Sequence, residues 1–436
     1  MEKRLSGWKR ELVRAHGWIA DLFVRSEPRA LSLAYLQGLL SGCARKNGWQ
    51  LAAWLGEAAP SRVQHLLDRA RWDAEEARDR IRSYAIEELG SEEAVLIVEE
   101  TGFLKKGRHS AGVKRQYSGT AGRIENSQVG VFLCYGSDQG AALVDRALYV
   151  PQEWAEDAER RREAGISETV KFAPKPELAR RMIERALAAG APCGWVVADE
   201  VYGHDSKLRR FLEGRQMAYV LAVASDQRLW GPDFAQPRVD AITRSLPERA
   251  WQCFSAGSGS KGERLYDWAL LQWSKEDGWA RALLVRRSLE EKPECAYYLC
   301  YAPIGKDTLA TLVRVAGQRW QIEHALQAAK GECGLDHYEV PLAGVVSAYH
   351  LGHAGPCGAG GAAHAWRKKL PTHTCGSAHP NCATCSRGCC GADGTALSTC
   401  GIGPSGEDDI NFELCPATIE SADRHYPPSI YNCSIS

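Results

Sequence analysis

Two short apolar runs decide what this 436-residue chain can become. Ala94-Val95-Leu96-Ile97-Val98 and Trp195-Val196-Val197-Ala198 are brief, rich in β-branched residues and lack the alternation of a half-exposed strand. Such runs suit strands buried on both faces, which need helices above and below the sheet. Each run ends in acids, Glu99-Glu100 in one case and Asp199-Glu200 in the other. A carboxylate at the end of a buried strand is unfavourable without a cation or a partner. Strand ends in sheets of this kind are also where sites form.

The neighbouring segments fill in the sheet. Val129–Tyr135 and Ala141–Val150 read as strands, Glu177–Ala189 and Ser206–Glu213 as helices, and Ala218–Val223 as a fifth strand. The order of three strands, helix, strand, helix, strand over 91–225 predicts an α/β domain with a central mixed sheet. Residues 1–90 read as helical, with Leu12, Val13, Ile19, Leu22 and Phe23 at helical spacing and Ser61 as an N-cap before Arg62. Up to Lys46 this end holds nine basic and four acidic residues, a local excess that suits contact with a DNA backbone. Residues 226–300 read as a strand-rich insertion. Residues 301–340 return to the core with one long helix, Thr308–Lys330. On it Val315, Ile322, Leu326 and Ala329 form an apolar stripe, and Arg319, Glu323 and Lys330 form another.

Charge narrows the partners. Lys+Arg 54 against Asp+Glu 54 leaves no global field toward a polyanion, so any basic surface is local. No apolar stretch approaches the roughly 20 residues of a membrane helix, and the charged start lacks a secretory apolar run. The expectation is a cytoplasmic protein without a membrane partner.

Glu99, Asp199 and Glu323, far apart in sequence, together suit a hard divalent cation, which takes carboxylate oxygens and keeps waters. Further segments give them a context: Glu100-Thr101-Gly102-Phe103-Leu104-Lys105-Lys106-Gly107, Gly112-Val113-Lys114-Arg115-Gln116-Tyr117-Ser118-Gly119-Thr120, Glu125-Asn126-Ser127-Gln128-Val129, Leu148-Tyr149-Val150-Pro151, Ala198-Asp199-Glu200-Val201-Tyr202-Gly203 and Ala329-Lys330-Gly331-Glu332. In these the chain resembles insertion-sequence transposases of the DDE superfamily, in the branch typified by insertion sequence 701. The resemblance covers about residues 1–340. It implies an RNase H-like α/β core, dependence on Mg²⁺ with Mn²⁺ as substitute, double-stranded DNA as partner, and a homodimer that pairs two element ends. The late helix is similar to a Tyr-x2-Arg-x3-Glu-x6-Lys signature, matched by Arg319, Glu323 and Lys330 with Ala316 in the tyrosine's place.

On this resemblance Glu99, Asp199 and Glu323 are the expected catalytic and metal-holding residues, with Glu100 as the alternative to Glu99. Arg319, Lys330, Lys105, Lys106, Lys114 and Arg115 are expected to meet DNA. The family pattern has Asp where this chain has Glu99, one methylene longer. A weakened or silent copy is therefore expected. The alternatives are a silent DNA-binding remnant and an RNase H-like nuclease without strand transfer.

After residue 340 the character changes. Nine of the 16 cysteines fall in 341–436, among Gly, Pro, Ser and His. His373, Cys375, His379, Cys382, Cys385, Cys389 and Cys390 offer zinc donors, but only Cys382 and Cys385 have clean ligand spacing. A frame shift accounts for more. One permitted back-translation of residues 344–355, taken one base later, spells Gly-Trp-Tyr-Arg-His-Ile-Thr-Leu-Ala-Met-Leu-Ala. That string resembles the family's continuation past its Tyr-Glu-Val segment. The expectation is a frame-shifted, disordered tail over 341–436, and no zinc.

Overall fold

The computed structural model describes residues 2–119, 121–229, 236–259 and 262–337. The apolar run at 95–98 opens β1 (Val95–Leu104), which continues through both glutamates rather than stopping before them. β2 (Lys114–Ser118), β3 (Arg123–Ser137) and β4 (Gly140–Tyr149) follow as an antiparallel series. β5 (Trp195–Ala198) and β6 (Ala218–Val223) add in parallel to β1.

Preceding the sheet are α1 (Glu2–Gly17), α2 (Ser26–Leu39), α3 (Gly48–Trp54), α4 (Ser61–Asp68) and α5 (Ala74–Leu89). Ser61 is the first helical residue of α4; Pro60 holds the cap position, with no side-chain cap bond, so the expected serine cap is not formed. α5 does carry one: Asp73 accepts from the amides of Glu75 and Glu76. Between strands come α6 (Gln152–Glu156), α7 (Ala158–Glu163), α8 (Lys175–Ala188), α9 (Glu200–Gly203) and α10 (Ser206–Gly214). After α11 (Val239–Arg244) the strand-rich stretch supplies β7 (Gln252–Gly259), β8 (Gly262–Glu276), β9 (Trp279–Arg287) and β10 (Cys295–Pro303). These four do not stand apart. β10 pairs with β6, and one ten-stranded sheet runs β2-β3-β1-β5-β6-β10-β9-β8-β7, with β4 on β3.

The expected single helix over 308–330 is two: α12 (Leu309–Gly317) and α13 (Trp320–Gly331), with Arg319 at the second N-cap. The break has a physical cause. Gly317 lies against β7, where a Cβ would meet the Ala256 carbonyl oxygen at 2.3 Å, and the Arg264 guanidinium donates to the Gly317 carbonyl at 3.0 Å. That carbonyl turns to the sheet instead of continuing a helical ladder.

The sheet has helices on both faces, the mixed α/β architecture expected of an RNase H-like core. On one face Leu96, Val98, Val196, Ala198 and Leu221 pack with α5, α8 and α10, in a cluster that reaches Ile19, Phe23 and Leu36 of the N-terminal helices. On the other Val95, Ile97, Trp195, Val197 and Val220 pack with Leu312, Val315, Ile322 and Leu326 of α12 and α13. Burying each such side chain contributes about 1.5–3 kcal/mol. Alternation along β1 and β5 thus assigns odd-numbered residues to the α12/α13 face.

Candidate active site

β1 and β5 lie side by side with Val98 opposite Ala198, and the next residue of each is an acid. By parity Glu99 and Asp199 both emerge on the α12/α13 face. Glu100 takes the other face, where it accepts from the Tyr202 hydroxyl at 2.8 Å and pairs with Lys175. The pairing of β5 with β1 ends at Ala198 because Asp199 caps α9, its carboxylate accepting from the Val201 amide at 3.0 Å. Gly203 lets that helix press onto β6, since a Cβ there would meet the Ala222 carbonyl oxygen at 1.9 Å. β1 runs on to Leu104. The divergence of two strands at a shared register leaves a cavity of about 600 Å³, lined by Glu99 and Asp199 together with Arg264, Arg286, Tyr298 and Arg319.

The two carboxylates feel one another. Burial, and then the nearby Asp199, push the Glu99 carboxyl up to about 7 against the pull of Arg319. Burial and Glu100 push Asp199 up to about 6, while the amides of Val201 and Tyr202 act the other way. Buried like charges held close are unfavourable until a cation arrives. Mg²⁺ binds through one or two carboxylates and keeps several waters. The Glu99–Asp199 pair fits that donor set.

Glu323 stands differently. The Arg319 guanidinium donates to Glu99 at 2.7 Å and, through its other terminal nitrogen, to Glu323, so the third acid reaches the first through a cation. Glu323 is two-fifths exposed, whereas Glu99 is mostly buried. Among the described residues no group of three His, Cys, Asp or Glu side chains is arranged to hold a metal ion.

The expected DNA-facing residues separate into two sets. Arg319 and Lys330 turn inward onto β1: the Lys330 ammonium donates to the Thr101 hydroxyl at 2.6 Å and the Gly102 carbonyl at 3.1 Å, and burial lowers its pKa. Lys106, Lys114 and Arg115 are exposed and Lys105 is half-buried, with Lys114 also paired to Glu153 at 2.6 Å. The cationic wall formed by Arg264 and Arg286 escaped the sequence analysis. Arg264 lies 5.1 Å from the Trp320 ring and Arg286 4.5 Å from that of Tyr266. The available signal was the alternation Arg264, Tyr266, Trp268 along one strand, which puts the arginine on the same sheet face as two aromatics.

Residues 19–246 match a family described as DDE superfamily endonuclease, and residues 175–339 match one described as transposase DDE domain. The chain is 30% identical over 214 residues to a probable transposase for insertion sequence element IS701 from Microchaete diplosiphon, a match covering 48% of this chain. It spans about half (52%) of the length of that relative. No helix among the described residues is long and apolar enough to cross a membrane.

Proposed function

This chain belongs to the DDE superfamily of endonucleases, and on that premise we propose that it is an insertion-sequence transposase, in a copy of weakened activity. Its substrate is double-stranded DNA: water attacks a phosphodiester at the element's end and its P–O3′ bond breaks, leaving a 5′-phosphate and a free 3′-hydroxyl, which then attacks a target phosphodiester and displaces the target's own 3′-hydroxyl. Two copies of the chain hold the two ends. Magnesium, or manganese in its place, would when bound supply activation of the attacking oxygen and stabilisation of the leaving one. Glu99 and Asp199 would hold it, with Glu323 as the third carboxylate.

The remaining groups position and neutralise. Arg264 and Arg286 line the same cavity as the acids, where they would meet non-bridging phosphate oxygens. Lys106, Lys114 and Arg115, exposed beside and on β2, would follow the DNA backbone. Lys330 acts as a positioning residue, tying α13 to β1 just beyond Glu99. The one observation that supports this reading most is the Glu99–Asp199 pair. Two in-register strands deliver two carboxylates to one cavity, and each is held above its ordinary pKa.

The weakening rests on Glu99. Its carboxylate, carried on one methylene more than the family's aspartate, is engaged by Arg319, and a misplacement near 1 Å at such a centre lowers rate on the order of 10²-fold. A nicking assay in Mg²⁺ and Mn²⁺ on duplexes covering the DNA on either side of the gene tests it. Glu99→Asp is expected to cut faster than the parent, and equal rates overturn the weakening. The arginine already seated on Glu99 also favours a second reading, a DNA-binding remnant that cuts nothing; no cutting by either protein, with binding intact, is its outcome. The third element is a reading-frame shift near Pro341, in a segment outside the described residues. Sequencing the gene around codon 341 tests that: a single-base shift is expected to restore an apolar helical frame, and failure to do so overturns it.

A further inference from the structure

The backbone pairing of β1 with β5 stops at Val98 and Ala198, one residue short of the two acids. Past that point β1 and α9 diverge, and two like charges on diverging segments favour a wider gap. A side-chain link spans the gap on the sheet face opposite the acids. Glu100 is committed through both oxygens: one accepts from the Tyr202 hydroxyl at 2.8 Å, the other from the Lys175 ammonium. Tyr202 is wholly buried, in the same apolar cluster as Val98, Ala198 and Leu221. Lys175 is the first residue of α8, which packs on β3, β4 and α9. α9 is therefore held twice, pressed onto β6 at Gly203 and tied to β1 at Tyr202.

That tie reaches both acids over a short path. Asp199 is the N-cap residue of α9, where its carbonyl accepts from the Gly203 amide at 2.9 Å and its carboxylate from the Val201 amide at 3.0 Å. Within a single hydrogen-bonded turn, a shift of Tyr202 away from β1 carries Asp199 with it. On the other side Glu100 follows Glu99 directly on β1. The Tyr202–Glu100 bond thus acts on the distance between the two carboxylates while touching neither.

We propose that Tyr202, Glu100 and Lys175 form a brace that fixes the spacing of Glu99 and Asp199, and with it the size of cation the pair accepts. This rests on the reading that the two acids share a cation, and adds what makes their site selective. Mg²⁺ demands near-ideal octahedral geometry at about 2.0–2.1 Å, whereas Ca²⁺ takes six to eight oxygens at about 2.3–2.6 Å in flexible arrangements. A fixed spacing suits the small ion; a loosened pair loses the small ion first and keeps the large one. The three are positioning residues.

Calorimetric titration of the full chain at pH 8 with Mn²⁺ (in place of Mg²⁺) and separately with Ca²⁺ tests the brace without reference to cutting. Tyr202→Phe keeps the buried ring and removes only the hydroxyl. Lys175→Met acts at a quarter-exposed position, outside the core. The parent is expected to prefer Mn²⁺. Tyr202→Phe should weaken Mn²⁺ roughly tenfold or more and Ca²⁺ by no more than about threefold, as loss of an outer partner of a metal ligand does. Lys175→Met should shift the preference the same way by less. If the parent binds Mn²⁺ and both variants, folded by circular dichroism, keep its preference or weaken both ions equally, the brace is wrong and the shared cation stands. A parent with no preference for Mn²⁺ overturns the brace as well. If the parent binds neither ion, brace and shared cation both fall.

Discussion

Removing the charge of Glu99 should stabilise the metal-free protein, and only above the pH at which that charge forms. Burial and Asp199 lift the Glu99 carboxyl from an ordinary 4.5 to about 7. A raised carboxyl contributes its full stability below its unfolded pKa and loses it as pH climbs through the folded one. The window is therefore about 4.5 to 7. Across it the parent should lose on the order of 3 kcal/mol relative to a chain with a neutral residue at this position. The Arg319 ion pair is already included, because its pull opposes the shift. Thermal unfolding of parent and Glu99→Gln in a chelating buffer, from pH 4.5 to 8, reads this directly. At pH 8 the variant should melt several degrees above the parent, at pH 4.5 alongside it. Adding Mg²⁺ at pH 8 should raise the parent and leave the variant nearly unmoved. A variant that melts below the parent at pH 8, or a gap independent of pH, would refute the claim that two crowded carboxylates dominate this site.

Other consequences are equally specific. Asp145, fully buried, sits among Arg78, Arg82, Arg146 and Arg185 from three elements; Asp145→Asn strands several buried cations and should lower stability by about 3–5 kcal/mol in a denaturant titration. Gly203→Ala forces α9 off the Ala222 carbonyl and displaces Asp199, so a drop in melting temperature should accompany loss of metal binding. Lys330→Met removes the two hydrogen bonds that tie α13 to β1 and should reduce stability by about 1–3 kcal/mol, with the larger effect on nicking rate than on DNA affinity.

The central sheet was legible because both-face burial leaves an unmistakable composition. Trp195–Ala198 and Ala218–Val223 are strands at the residues expected, and the parity that separates Glu99 from Glu100 follows from strand geometry alone. Other features depend on contacts distant in sequence. β1 extends through its acids because β3 pairs with it up to Leu104, a partner that local composition does not reveal. The break between α12 and α13 is set by Arg264 and Ala256, about fifty to sixty residues upstream, while the helical apolar stripe runs through it uninterrupted. β7 to β10 look like an insertion in one dimension; only the β6–β10 pairing makes them part of the sheet and brings Arg264 and Arg286 to the cavity. Arg319 and Lys330 share a helix stripe, which spacing reveals, but whether that stripe faces solvent or β1 is a matter of packing.

The proposed chemistry depends most on a cation shared by Glu99 and Asp199. Calorimetric titration of the full chain with Mn²⁺ at pH 8, in parent, Glu99→Gln and Asp199→Asn, measures it without reference to cutting. Binding in the parent, lost or weakened at least tenfold in both variants, is the predicted result. Parent and variants binding Mn²⁺ alike, or a parent that binds none, would contradict it.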